Sequence, residues 1–432
     1  MANKDIFCNI PWYELHINHD GSYDLCGCMS ELITNTTKSK EWNIFNYSVA
    51  DYWQSRRLRD ARLDKLGDTP NPACGVCQYQ DSIGNHSKRI KENLKSVIFY
   101  DKNFYKSFEQ SPHKAAFDYS ANNDGATVTK PVSYHLSLGN ECDLACVMCS
   151  PNSSFKLAND YKKLGWADEA RRLNWTDDQQ VWNDLCQTLL DTQLVSLHLI
   201  GGEPTINKRF YQLINLLIDN DHTNFSFSFT TNCMHKLDHL WNKLSKFDRV
   251  EIGLSIETVN ITNDYIRYGS GVDTILTNIE NFKQSAPPNI AFVVRTVPTL
   301  LTINYYDQLI DWCLDKDFLL NSYFAVNPKW QQIRLLPDDI KTTLAEKFKS
   351  QLVQYQSLSN HKGLTNFRNQ SHVVENLINE LQAVISSLTL GNQDLELINE
   401  CVLKFKELDT LRNTNVVENF PMLKEFFEAH GY

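Results

Sequence analysis

The chain has 432 residues, 42% of them apolar and 22% charged, enough for a sizeable core and about two or three domains. Lys plus Arg number 42 against 52 Asp plus Glu, so the net charge of −10 counts against a nucleic-acid partner, and no apolar run is long enough for a membrane span. The start, MANKDIFCNIPWYELH, lacks the basic and apolar stretches of a signal peptide, so the 12 cysteines are expected in the reducing cytoplasm, where clustered thiols favour metal over disulfides.

In chain order, WYELHINHDGSYDLCGC holds two short alternating segments around Asp20-Gly21, the signal of a β-hairpin. Its second arm delivers Cys26 and Cys28. Residues 51–66 read as one helix, and the punctuated loop TPNPACGVC carries Cys74 and Cys77. Residues 1–117 are therefore read as a cysteine-rich N-terminal domain, and the polar, breaker-rich stretch 118–130 as a linker.

From residue 131 to 330 one rhythm dominates. Strand-like runs (VSYHLSL, LVSLHLI, FSFSFTT, VEIGLSI, IAFVVRTV and SYFAV) alternate with amphipathic stretches at 177–191, 208–219, 236–247, 272–284 and 305–316. Repeated strand–helix units predict parallel strands joined by right-handed crossovers. Six strands are too few for a closed eight-stranded barrel, so an α/β fold remains, as a partial (β/α)6 barrel or a doubly wound sheet. Either places the active face beyond the carboxyl ends of the strands. Residues 331–432 read as helices, with a turn at Gly391-Asn392.

Two motifs fall on that face. Cys142, Cys146 and Cys149 form C-x3-C-x2-C in the loop after the first barrel strand. Three thiolates can hold three irons of a [4Fe–4S] cube and leave the fourth open to an exogenous ligand. A structural zinc site would want a fourth Cys or His nearby, and none is close in sequence. Gly201-Gly202-Glu203-Pro204 follows the second strand; its glycines would let a ligand approach the backbone, and Glu203 can accept from an ammonium group. Cys186, Cys313 and Cys401 read as small buried hydrophobes, and Arg56-Arg57 and Arg171-Arg172 as solvated helix faces.

The triplet followed by GGEP resembles a radical SAM enzyme. Thr231-Asn232, Leu254-Ser255-Ile256-Glu257, Tyr265-Ile266-Arg267 and Arg295 extend the likeness. The N-terminal FCNIPWYELHINHDGSYDLCGC, with NPACGVC and SIGNHSKR, resembles an auxiliary-cluster segment of the twitch or SPASM kind placed before the barrel, and LDTLRNTNVVENFPML resembles that subgroup's C-terminal end. The resemblance implies that Cys142, Cys146 and Cys149 ligate a cluster whose open iron binds S-adenosylmethionine. It implies that Gly201, Gly202 and Glu203 contact the methionine ammonium, and that Asn232, Ser255, Glu257 and Arg295 belong to the same cofactor site, the last three at the ribose or carboxylate. Met148 stands where an aromatic residue is usual near adenine, and Glu257 where Asp is commoner.

For the N-terminal cysteines it implies a second [4Fe–4S] cluster on Cys8, Cys26, Cys74 and Cys77. A four-cysteine zinc site is the alternative reading of Cys74-x2-Cys77, and Cys28 competes with Cys26 as ligand. The function implied is reductive cleavage of S-adenosylmethionine to a 5′-deoxyadenosyl radical, which takes a hydrogen atom from a peptide or protein substrate. Ferredoxin or flavodoxin would be the reductant. Radical oxidation or epimerisation of a carbohydrate or small metabolite is the rival. A non-catalytic iron–sulfur carrier or sensor is disfavoured by GGEP and the strand-four carboxylate, which a carrier does not need.

Overall fold

The computed structural model describes residues 6–28, 41–67, 71–93, 114–360, 370–391 and 394–432. Among these, eight strands form one sheet in the order β2-β1-β3-β4-β5-β6-β7-β8. The barrel strands are β3 (Ser133–Ser137), β4 (Ser196–Ile200), β5 (Ser226–Thr231), β6 (Arg249–Ser255), β7 (Ile290–Thr296) and β8 (Leu319–Ser322), each parallel to the next. Helices Gln179–Leu190, Lys208–Asp219, Val272–Ser285 and Tyr306–Asp315 supply crossovers, and their starts follow local chemistry. Asp178 accepts from the Gln180 and Val181 amides, and Asn207 from the Arg209 amide, so each first turn has its donors satisfied.

The hairpin forms as expected. β1 (Glu14–Ile17) and β2 (Tyr23–Asp24) are antiparallel, and Gly21 takes the positive φ of 83° that their turn requires. Beyond that expectation, β1 also pairs in parallel with β3, so the N-terminal segment lengthens the barrel sheet by two strands.

Three elements differ from the sequence reading. Residues 51–66 form two helices, Val49–Trp53 and Arg56–Leu66, because Ser55 turns extended and caps the second by accepting from the Leu58 amide. Of 236–247, only Trp241–Leu244 is α-helical, after a 3-10 turn at Asp238–Leu240. The last strand is Leu319–Ser322 rather than SYFAV, because Phe324 turns to the N-terminal segment. Its amide donates to Gln80 Oε1 at 3.3 Å and its carbonyl accepts from Gln80 Nε2 at 3.0 Å. Helix Lys114–Asn122 also occupies the first part of the stretch read as a linker. Arg57, read as solvated, reaches the buried Asp24 at 2.8 Å.

Gly391 has a φ of 113°; Asn392, the other residue of the expected turn, and positions 361–369 lie outside the described residues. Helix Gln370–Thr389 covers edge strand β8: Asn376 accepts from the Leu320 amide at 2.7 Å and donates to its carbonyl at 2.9 Å. No helix among the described residues is long and apolar enough to cross a membrane.

The inner face of the sheet is polar. In β4 and β5 the buried Leu197, Leu199, Phe227 and Phe229 alternate with partly exposed Ser196, His198, Ser226, Ser228 and Thr230. A parallel sheet packed on both faces would be apolar throughout, so this alternation marks a lumen not filled by core. His16, His135, His198 and Ser228 share one register row. The His16 and His135 rings stack at 4.6 Å, and His198 meets His135 edge-on at 4.8 Å.

His16 is 5% exposed, and burial lowers its pKa from 6.5 to about 3. The unfolded chain therefore takes up a proton below pH 6.5 that the folded chain refuses. Stability present above pH 6.5 should be lost as pH falls from there towards 3, by about 2 kcal/mol at pH 5. Melting temperatures of His16→Phe and wild type across that range check this: the variant should have a shallower acid slope.

Candidate active site

The triplet loop leaves the carboxyl end of β3 and is fixed from several directions. The Ala145 and Val147 amides donate to the Tyr268 and Ile266 carbonyls at 2.9 and 2.8 Å, so the thiol loop lies alongside residues 266–268. Ser154 Oγ donates to the Leu144 carbonyl, Gln331 Nε2 to that of Val147, and Arg412 Nη2 to that of Ala145. These bonds satisfy the carbonyls of an irregular buried segment, which would otherwise be costly. The Cys146 and Cys149 thiols are neighbours that perturb each other, and Cys142 lies beside them. Arg267 Nη1 reaches Cys146 Sγ at 3.8 Å, and a cation there favours the thiolate that a metal needs. Burial pushes the Cys142 thiol up to about 12.

GGEP lies against this loop. The Glu203 amide donates to the Glu141 carbonyl at 2.8 Å. A Cβ on Gly202 would stand 1.8 Å from that oxygen, and one on Gly201 would stand 2.4 Å from the Leu138 nitrogen. The glycines thus admit the close approach of the protein's own backbone. Glu203 is 1% exposed. Its carboxylate accepts from the Thr205 amide and hydroxyl and, at 2.6 Å, from the Asn232 amide. The Asn232 side chain in turn donates to Asp143 Oδ1 at 2.6 Å, and His235 Nε2 meets Asp143 Oδ2 at 2.9 Å. The ends of β3, β4 and β5 are therefore one bonded unit.

Glu257 lies deeper. It is fully buried, bound to Arg267 Nη2 at 2.9 Å, to the Thr296 hydroxyl at 2.7 Å and to the Val297 amide at 2.7 Å. Its carboxylate clamps the β6 and β7 ends and orients the arginine beside Cys146. Arg295, opposite Ser255 in register, donates to Thr230 Oγ1 at 2.7 Å, lies 3.3 Å from His198 Nε2 and pairs with Glu251 at 3.1 Å. Met148 is buried within the main core.

The second thiol group also assembles. Cys8 is near Cys74 and Cys77, Cys26 is near Cys8 and Cys77, and Cys28 is hydrogen-bonded to Cys77. Both candidates, Cys26 and Cys28, therefore belong to it. Burial pushes Cys8 up to about 12. Cys77 is lowered by the Cys28 thiol, which donates to it, and by the Arg89 amide and Ser87. Gly27 lies against the histidine row: a Cβ there would be 2.8 Å from His135 Cε1. Lys65 Nζ donates to Cys74 Sγ at 2.7 Å, and Lys88 pairs with Glu14 at 2.5 Å. Among the described residues no three His, Cys, Asp or Glu converge as ligands of a single ion. A cube binds each thiolate through a different iron, so two groups of neighbouring thiols flanked by cations fit it.

Arg412 is the contributor that spacing did not reveal. Its guanidinium pairs with Asp160 at 2.9 Å and lies over the Tyr268 ring at 4.5 Å while holding Ala145. Its signal was its place in LDTLRNTN, without a partner legible nearby. Arg267 likewise showed only as a motif match. Removing one partner of a buried pair strands the other charge, so Arg412→Met should cost about 3–5 kcal/mol. Arg412→Met with Asp160→Asn should cost less than Arg412→Met alone. Denaturant unfolding of the wild type, both single variants and the double variant checks this.

Residues 136–313 match the radical SAM superfamily, and residues 8–78 match SPASM, an iron–sulfur cluster-binding domain. Mycofactocin maturase MftC of Mycolicibacterium smegmatis (strain ATCC 700084 / mc(2)155) is 25% identical over 180 residues, which are 41% of this chain and 40% of that protein. The match thus spans less than half of that relative. Among solved structures, native anSMEcpe with bound AdoMet has 18% identity and a TM-score of 0.41, over 53% of this chain and 63% of its own. Streptococcus suis SuiB bound to precursor peptide SuiA has 15% identity and a TM-score of 0.39, over 73% and 66%.

Proposed function

Because the chain belongs to the radical SAM superfamily and carries a SPASM iron–sulfur domain ahead of its barrel, we propose that it is an enzyme acting by hydrogen-atom abstraction on a peptide or protein substrate. Its cofactors are a [4Fe–4S] cluster, S-adenosylmethionine and a further iron–sulfur cluster in the SPASM domain. When bound, they supply a 5′-deoxyadenosyl radical and a second redox centre. The observation that carries the reading is the bonded unit of strand ends, in which the Cys142–Cys149 loop, GGEP and Asn232 hold one another.

Each residue then has a task. Cys142, Cys146 and Cys149 would hold three irons of one cube. Arg267, oriented by Glu257, keeps positive charge beside Cys146. Gly201, Gly202 and Glu203 would contact the methionine ammonium, in a loop that Glu203 holds to Asn232. Ser255 and Arg295 would meet the ribose or carboxylate, and Met148 would pack near adenine. Cys8, Cys74 and Cys77, with Cys26 or Cys28, would hold the second cube. Ferredoxin or flavodoxin would supply the electron.

The substrate class is supported by likeness to a maturase over 180 residues. A lumen lined by Ser, Thr, His and Arg295 also suits a polar side chain better than an apolar one. The test compares two variants under dithionite and S-adenosylmethionine. Cys146→Ala should abolish 5′-deoxyadenosine formation. Cys74→Ala should retain it but lose the modified product, once a substrate peptide is supplied. Wild-type cleavage by Cys146→Ala would sink the assignment.

A further inference from the structure

We infer that Lys65 raises the reduction potential of the auxiliary cluster, through its charge and its hydrogen bond on the sulfur of Cys74. The inference rests on the proposal that Cys74 is a ligand of that cluster.

Helix Arg56–Leu66 presents Lys65 to the thiol group from its last turn. The side chain is 6% exposed, and its Nζ donates to Cys74 Sγ at 2.7 Å. The groups that feel its charge are Cys74, Cys8 and Cys26, all thiols of this one site. Lys88, on the Cys26 and Cys28 side, differs. It is ion-paired to Glu14 at 2.5 Å, so a carboxylate already offsets its charge. Among the described residues, Lys65 is thus the lysine that adds a hydrogen bond on a thiol sulfur to its charge, whereas Lys88 acts on Cys26 and Cys28 by charge while paired to Glu14.

The consequence follows from charge. Reduction adds one electron to a cluster already negative from its thiolates. A nearby cation and a hydrogen bond to a ligand sulfur stabilise the more negative state, and both are recognised controls of cluster potential. Burial strengthens the effect, because little water is present to screen it. A raised potential suits a centre that accepts an electron more than one that donates at the lowest potential. Arg267 stands at 3.8 Å from Cys146 but is itself paired with Glu257, so among the described residues the cation on a triplet sulfur is already compensated by a carboxylate.

The test uses the full chain carrying Cys142→Ala, Cys146→Ala and Cys149→Ala, so that only the auxiliary cluster contributes. Redox titration followed by electron paramagnetic resonance is compared for this chain and for its Lys65→Met and Lys65→Arg versions. Lys65→Met should shift the oxidised-to-reduced ratio about tenfold towards oxidised at a given potential, a midpoint lower by about 59 mV, whereas Lys65→Arg should stay within about threefold. An unchanged midpoint in an iron-replete Lys65→Met chain overturns the inference. If Lys65→Met does not assemble the cluster, Lys65→Gln takes its place, with the same downward shift expected. Failure of both neutral variants to assemble also overturns it, since Lys65 would then serve assembly and not potential. A parent chain that takes up no iron–sulfur cluster overturns the auxiliary-cluster reading itself, a result distinct from an unchanged midpoint.

Discussion

The carbonyl of Glu141 accepts the Glu203 amide at 2.8 Å, and only a residue without a side chain at position 202 permits that approach. The rest of the site depends on this contact between two loops. It sets the height of GGEP against the thiol loop. From there Glu203 reaches Asn232, and Asn232 reaches back to Asp143, one residue from Cys142. The circuit closes through three consecutive strand ends, which the parallel register brings to the same side of the sheet.

Buried charge reinforces this frame from the other side. Glu257 and Arg267 form one pair, Asp160 and Arg412 another, and both arginines also touch the thiol loop. Such pairs contribute little net stability, since desolvation offsets most of the attraction, yet they tolerate few alternative arrangements. Here their effect is positional. The helix Leu395–Arg412 thereby becomes part of the site, although its one thiol, Cys401, belongs to the core.

The N-terminal segment acts as a bridge across an open sheet. β1 extends the β3 edge, while Gln80 and Asn85, just beyond Cys77, bond to Phe324 and Ser322 at the β8 edge. Gly27, between Cys26 and Cys28, lies against His135 and His16 of the histidine row. Both thiol groups are anchored to one sheet, the triplet by the loop after β3 and Cys26 by the segment after β2.

Local pattern was enough to locate most of the strands, the hairpin turn, most crossover helices and both cysteine groups. Period-two alternation, Asp20-Gly21 and thiol spacing act within a few residues, so their signals survive in one dimension. It did not separate Val49–Trp53 from Arg56–Leu66, where a single serine cap decided the break, nor place the last strand, where Gln80 redirected the chain. Tertiary structure alone decided that β1 joins the barrel, that Cys28 stands with Cys26, that three histidines share a row, and that Lys65 meets Cys74. It also showed that Glu257 holds Arg267 from a buried position. The physical reason is separation along the chain: Arg412 finds Asp160 across 252 residues, and such a pairing is determined by how helices pack on a sheet, which no local propensity encodes.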